Sequence, residues 1–298
     1  MFREKEREMN LLAFQEKFPD ELACEQFLIA KRWPEGYICE LCDSRAYWYV
    51  QKLRRFECKG CHHQKSITAD TMFHRTRTPL REWFLAIYLM SESKKGISGL
   101  ELAHHLGMKD ERRAYRLQAR IREAMSHREE QYVLEGYVEL DDAFFGGVRR
   151  DGKRGRGAEG KTKVLVAVSV DENDRPQYAK FMVVGDLKQP TLEEKIRQYV
   201  EKKTFVVTDG YRGYNILDDH YDHLAVTMDD PGDNQSYLPW VHILISNAKR
   251  FVSGTHHAVK NTQAYLNEFA WRFNRRFCNL FERLIVSALH YQPDYIRA

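Results

Sequence analysis

Two Cys-x2-Cys pairs, Cys39 with Cys42 and Cys58 with Cys61, stand fifteen residues apart in the first quarter of the chain. That spacing leaves the segment few ways to fold. A Cys-x2-Cys turn sets two sulfurs on one side of a small loop, and two such turns complete a tetrahedron around zinc. A segment of about 30 residues buries too little surface to fold alone, so bound metal supplies the folding energy. The expectation is one structural zinc ion held by Cys39, Cys42, Cys58 and Cys61. An unliganded buried set and a redox pair are the alternatives, and two pairs at matched spacing disfavour both. His62 and His63 follow the last thiol, but four thiolates are enough. Cys24 and Cys278 have no partner spacing and read as buried apolar residues. Ribbons of this kind bind nucleic acid, protein or neither, so the module does not decide function.

The chain has 298 residues, room for two or three domains, and 43% of them are hydrophobic. Residues 1–36 read as short amphipathic helices, with Leu11, Leu12, Phe14 and Phe18 in helical spacing. Residues 37–66 hold the cysteine module. Residues 67–130 return to helical periodicity, with Thr78-Pro79 opening one helix and Pro at its first turn. Ser98 caps a helix ending near Gly107, and Asp110 caps a second running to about Met125. Two helices joined by a tight Gly-containing turn make a helix-turn-helix candidate. The second carries Arg112, Arg116 and Arg120 on one face. These arginines suit a DNA surface, and equally a solvated stripe.

From residue 131 to 277 the pattern becomes mixed α/β. Strands are expected over 137–145, 163–170, 177–184, 204–208 and 223–228, with a helix over 192–200 after the third. The almost fully apolar TFVVT suits a central strand. Helices follow from Pro239, and 278–298 reads as a separate C-terminal helix. The order of elements is that of a ribonuclease H-like core. Two aspartates close apolar runs: Asp141 ends YVELD, beside Asp142, and Asp209 ends TFVVTD. A carboxylate just past a buried strand is where an α/β sheet presents reactive groups. Two from neighbouring strands suit a pair of divalent ions about 4 Å apart. Each alone reads equally as a turn or cap residue. His242, Ser246 and Lys249 share one face of the helix opened by Pro239, because seven residues make nearly two turns. A lone helical His is more often a satisfied core residue. YLNEFAWRFNRRF interleaves aromatics with Arg272, Arg275 and Arg276, which suits nucleic acid or a helix burying its aromatics.

Taken together, the stretches WPEGYICELC, RRFECKGC, DTMFHRTRTPLREWF, GISGLELAHHLG, VELDDAFFGG, VVTDGYRGY, KRFVSGTHHAV and YLNEFAWRFNRR resemble, in order, the zinc-ribbon DDE-type transposases of bacterial insertion sequences, the ISXO-type group. The resemblance runs from about residue 33 to 277. It implies an N-terminal zinc ribbon and helical DNA-binding region followed by a ribonuclease H-like catalytic core with a divalent-metal site, Mg2+ or Mn2+. Its first aspartate matches Asp141 rather than Asp142, and its second matches Asp209. Its third acidic or polar residue, seven positions before a helical lysine, falls on His242, with Lys249 as that lysine. An imidazole here departs from the usual acid and suits manganese or zinc better than magnesium. Asn247, Asp229, Asp230 and Asp233 are the alternative donors nearby.

The resemblance implies DNA cleavage at element ends and strand transfer into target DNA, by a homo-oligomer assembled on DNA. The rivals are a catalytically inactive, repurposed zinc-ribbon regulator and a nuclease with no joining step. The net charge of +4 decides nothing between them, because binding depends on local basic faces. One such run is Arg149, Arg150, Lys153, Arg154 and Arg156, among glycines just after Asp141. A solvated loop is the plain alternative. No stretch approaches the roughly 20 apolar residues of a membrane span, and MFREKEREMN lacks a signal peptide's apolar core. A cytoplasmic, nucleoid-associated protein with reduced cysteines is the expectation.

Overall fold

A computed structural model describes residues 9–147, 160–226, 238–256 and 259–293. The chain divides into two compact units, one of Met1–Met125 with Arg276–Ala298, the other Ser126–Arg275. No helix among the described residues is long and apolar enough to cross a membrane.

The first unit begins with α1 (Leu11–Lys17) and α2 (Glu21–Arg32), capped by the side chains of Asn10 and Asp20. Phe14 and Phe18 are buried as expected, whereas Leu11 and Leu12 are exposed: the apolar face is narrower than the hydrophobic run. A three-stranded antiparallel sheet follows, β1 (Tyr47–Val50), β2 (Arg55–Cys58) and β3 (Gln64–Ser66). Then come α3 (Leu80–Glu92), α4 (Gly99–His105) and α5 (Glu111–Glu129). Ser98 caps α4 and the Asp110 carboxylate accepts the Arg112 N–H at the start of α5. Gly107 ends α4 in the left-handed region at φ 62°. Gly99 is needed for a different reason: a Cβ there would come within 2.3 Å of the Tyr115 ring, which lies against the first turn of α4.

Pro79 sits at the N-cap of α3 rather than in its first turn, and supplies no capping side chain. The orphan N–H groups of Leu80 and Arg81 donate instead to the carboxylate of Glu21 on α2, at 2.7 and 3.0 Å. The last helix, α9 (Leu280–His290), belongs to this unit and packs on α3 and α2. Its Phe281 joins Phe14, Phe18, Phe84 and Tyr88 in one aromatic cluster.

The second unit is a five-stranded sheet in the order β6-β5-β4-β7-β8. β4 (Tyr137–Phe145), β5 (Thr162–Val170) and β6 (Pro176–Val184) form an antiparallel meander. β7 (Phe205–Asp209) and β8 (Asp222–Val226) run parallel to β4 on its other side. This is the ribonuclease H-like arrangement anticipated from the sequence. The central parallel strand β7 is buried on both faces, as parallel strands usually are, whereas the edge strand β8 stays largely exposed. α7 (Pro239–Thr255) and α8 (Thr262–Asn274) cover one face. α6 (Gln189–Tyr199) and a 3-10 helix (Arg212–Asp219) cover the other.

α8 also protects the edge strand β6. Its Asn274 accepts the Ala179 N–H, and its Gln263 accepts the Val183 N–H while donating to the Phe181 carbonyl. The helix uses its aromatics for packing, with Trp271 fully buried. Arg275 is turned inward to Glu129 at 2.5 Å, not outward to a nucleic acid or to water.

Candidate metal and phosphoryl-transfer sites

The four cysteine sulfurs all lie within 4.8 Å of one another. Cys39 and Cys61 approach to 3.5 Å, as do Cys42 and Cys58. Four thiolates at zinc–sulfur distances of about 2.3 Å stand roughly 3.8 Å apart, so the set fits a tetrahedral zinc ion. The first knuckle precedes β1 and the second follows β2, and both lie at one end of the small sheet, where Cys58 ends β2 and pairs with Tyr47, the first residue of β1. The Cys61 and Gly60 N–H groups reach the Cys58 sulfur and lower its pKa, whereas hydrogen bonds among the crowded thiols raise those of Cys42 and Cys61, a conflict that a bound cation relieves. Cys24 is buried apart from this cluster, and apolar surroundings push its thiol up to about 12.

The carboxylates of the second unit are organised by strand register. β4 and β7 pair in parallel as far as Leu140 with Thr208, and the next residues are Asp141 and Asp209. Asp141 therefore does not end its strand, as YVELD suggests. It lies in the middle of β4, because β4 runs on through Phe145 as a hairpin arm with β5. What ends there is the parallel pairing, and that opens the sheet beside both aspartates. Asp141 and Asp142 leave opposite faces, as neighbours on a strand must. Asp142 accepts a hydrogen bond from the Tyr214 hydroxyl at 3.4 Å on the face that α6 covers. Asp141 leaves the face that α7 covers.

On that face the His242 Nε2 stands 3.3 Å from Asp141 Oδ2. Burial pushes the Asp141 carboxyl up to about 6, the charges of Asp142 and Asp209 add to the rise, and His242 opposes it. A desolvated carboxylate crowded by like charges is relieved by a cation, so these donors suit a divalent metal. They are less closely drawn together than the cysteines. Among the described residues, the four thiols are the compact group of three or more metal-ligating side chains. The Asp209 carboxylate also accepts the Tyr211 N–H at 3.2 Å, so it shapes the turn that follows β7 as well. Lys249 lies on α7 beyond His242, its Nζ 6.0 Å from the Phe145 ring centroid. Burial and the neighbouring Lys161 lower its pKa, and Asp141 opposes that shift, which brings Lys249 within electrostatic reach of the site. Asn247 is an exposed residue of the same helix, while Asp229, Asp230 and Asp233 lie outside the described residues.

Two supporting groups escape a sequence reading. Thr208, fully buried, donates to the Asp209 carbonyl and meets His223 Nε2 at 2.9 Å, while His223 Nδ1 meets Asp218 at 2.5 Å. Glu139, two residues before Asp141, is 1% exposed, and its Oε2 accepts the Val241 N–H of α7 at 2.8 Å. Burial pushes its carboxyl up to about 7 in spite of the N–H groups that it accepts. A signal for it is present in the sequence: Pro239 opens a helix preceded by Leu238, which leaves that helix without a cap of its own.

The arginines divide. Arg112 and Arg116 are exposed on α5, the Arg112 side chain 89% so. Arg120 is half-buried, with its guanidinium toward the Met72 carbonyl. Arg149, Arg150, Lys153, Arg154 and Arg156 lie outside the described residues.

Comparison with known proteins places these features. Residues 133–274 match the ISXO2-like transposase domain and residues 19–64 the transposase zinc-ribbon domain. An uncharacterised protein in transposable element ISH50 of Halobacterium salinarum is 28% identical over 221 residues, covering 68% of this chain and 71% of that protein. An uncharacterised transposase-like protein of Haemophilus influenzae is 29% identical over 96 residues, 31% of this chain and 78% of that one. A Mos1 transposase paired-end complex with left transposon end is similar at a TM-score of 0.22 and 12% identity, over 70% of this chain and 80% of that chain. With a transposase zinc ribbon carrying the four-cysteine cluster, and an ISXO2-like domain carrying the paired aspartates, the chain belongs to the zinc-ribbon transposases of insertion sequences.

Proposed function

We propose that this transposase cuts DNA at the ends of its insertion sequence and joins the freed 3′-OH to target DNA, with Asp141, Asp209 and His242 as the metal-binding set. The observation that carries the reading is the contact of His242 with Asp141 where the parallel pairing beside Asp209 ends. Divalent Mg2+ or Mn2+, when bound, stabilises charge on the attacking and leaving oxygens of an in-line phosphoryl displacement. The chain's own part is to hold the reacting groups in place. Asp141 and Asp209 come from rigid neighbouring strands, and His242 from a helix packed on the same sheet. Lys249, further along that helix, suits a DNA phosphate as a point charge. No residue needs to form a covalent intermediate with DNA.

The four cysteines hold zinc as a structural ion in this reading. The ribbon and the α4–α5 pair recognise the element's ends, with Arg112 and Arg116 the exposed basic residues of α5. The basic run 149–156 tracks the DNA backbone, and the working form is a homo-oligomer on DNA. The test is cleavage of duplex DNA carrying the element's end, followed by joining of a pre-cut end. Metal-dependent nicking with strand-transfer products supports a transposase. Nicking without joining indicates a nuclease. DNA binding without nicking indicates a repurposed regulator, a reading that the histidine at the third position favours and the intact pair Asp141 and Asp209 opposes.

A further inference from the structure

α7 carries His242 and Lys249, yet it has no cap of its own. Leu238 at its N-cap offers no side-chain acceptor, and Pro239 has no N–H to satisfy. The His242 N–H bonds to the Leu238 carbonyl at 3.3 Å and so enters the helical ladder. That leaves the N–H groups of Trp240 and Val241 as the orphan donors of the first turn. The Val241 N–H donates to one carboxylate from another element, Glu139 on β4, and the Trp240 N–H is close enough to the same carboxylate to lower its pKa. Glu139 and Asp141 are two apart on the strand and leave the same face. The residue after Val241 is His242, whose ring is 3.3 Å from Asp141.

We propose that Glu139 is a positioning residue: as a cap delivered from β4, it fixes the first turn of α7 so that the His242 ring stands against Asp141. A charged side chain in this place is costly for any lesser role. Glu139 is buried among the apolar side chains that α7 packs on the sheet, where a leucine would fill the space without desolvation. The first unit uses the same device. Glu21 on α2 caps α3, whose N-cap is itself a proline and supplies no capping side chain. At α3 the device joins two helices; at α7 it joins the helix bearing one site residue to the strand bearing another.

The inference rests on the proposed reading of Asp141 and His242, and the experiment separates the two. Glu139→Leu removes the acceptor, and Glu139→Gln keeps an acceptor oxygen of the same reach without the charge. The readouts are amide hydrogen exchange over residues 238–245 and single-turnover cleavage of end DNA at saturating concentration, with Asp141→Asn alongside. Loss of a cap corresponds to roughly tenfold, so Glu139→Leu is expected to exchange about tenfold faster in this turn and cleave about tenfold more slowly, with DNA affinity unchanged. Glu139→Gln is expected to stay close to the native protein in both. Native exchange in Glu139→Leu, or native cleavage where Asp141→Asn is inactive, would overturn the proposal. So would a folded Glu139→Gln that keeps its protection but loses cleavage, because the charge rather than the cap would then matter. If Glu139→Leu does not fold, Glu139→Gln decides by the same two readouts. If Asp141→Asn cleaves normally, the site reading fails, and the exchange result still decides the cap.

Discussion

At the scale of single residues, the raised pKa of Asp141 has a consequence that needs no DNA. Its carboxyl moves from 3.8 in the unfolded chain to about 6 in the folded protein, chiefly through burial. Between those values the folded protein keeps a proton that the unfolded chain has lost. The stabilisation is full below about pH 4 and is lost as pH rises through about 6. The ionised site is thus a strained one at neutral pH, by an amount on the order of 3 kcal/mol. Metal-free Asp141→Asn is therefore expected to melt a few degrees higher than the native protein at pH 7.5, and no higher at pH 4. Thermal melts at the two pH values check this, and added Mn2+ should raise the melting temperature of the native protein more than that of the variant. His242 gives a second expectation. His242→Glu restores a hard oxygen donor and should shift the preferred cation from manganese toward magnesium, as measured by the cleavage rate in each. An unchanged metal preference would place the imidazole outside the metal's reach.

At the scale of elements, the zinc ribbon tests most simply. Cys39→Ser should reduce zinc from one equivalent per chain and unfold the ribbon, while circular dichroism of the second unit's sheet stays native. A full equivalent of zinc in a Cys42/Cys58 double substitution would remove the assignment. The ribbon was legible in the sequence because its ligands are local: two Cys-x2-Cys turns specify their own geometry. The strands were legible because β-branched runs such as VLVAVSV report burial on both faces. The place of Asp141 was not, since the end of a pairing belongs to two strands and YVELD describes only one. Remote caps were illegible for the same reason. Glu21 and Glu139 look like ordinary acids until Leu80 and Val241 are seen beside them, and only the uncapped prolines 79 and 239 hinted at the need.

At the scale of the whole molecule, the two units divide the work that the proposed function requires, DNA recognition in one and chemistry in the other. The separate C-terminal segment expected over 278–298 shows how sequence order misleads here. Read from the sequence as a separate helix, α9 instead supplies Phe281 to the aromatic cluster of the first unit. Basic residues read from sequence divide likewise: Arg112 faces solvent, while Arg275 is tied to Glu129 within the second unit. If the run from Arg149 to Arg156 tracks DNA, neutralising Arg149, Lys153 and Arg154 should weaken binding alike for all sequences. It should also lower the slope of log affinity against log salt by about 2 to 3. An unchanged slope would mark the run as a solvated loop. The central claim is that Asp141 and Asp209 carry metal-dependent chemistry on DNA. It is tested most directly by incubating end DNA with native, Asp141→Asn and Asp209→Asn protein in Mn2+. Cut and joined products are expected from the native protein alone, with all three binding DNA equally. Cleavage by either variant at the native rate would contradict it.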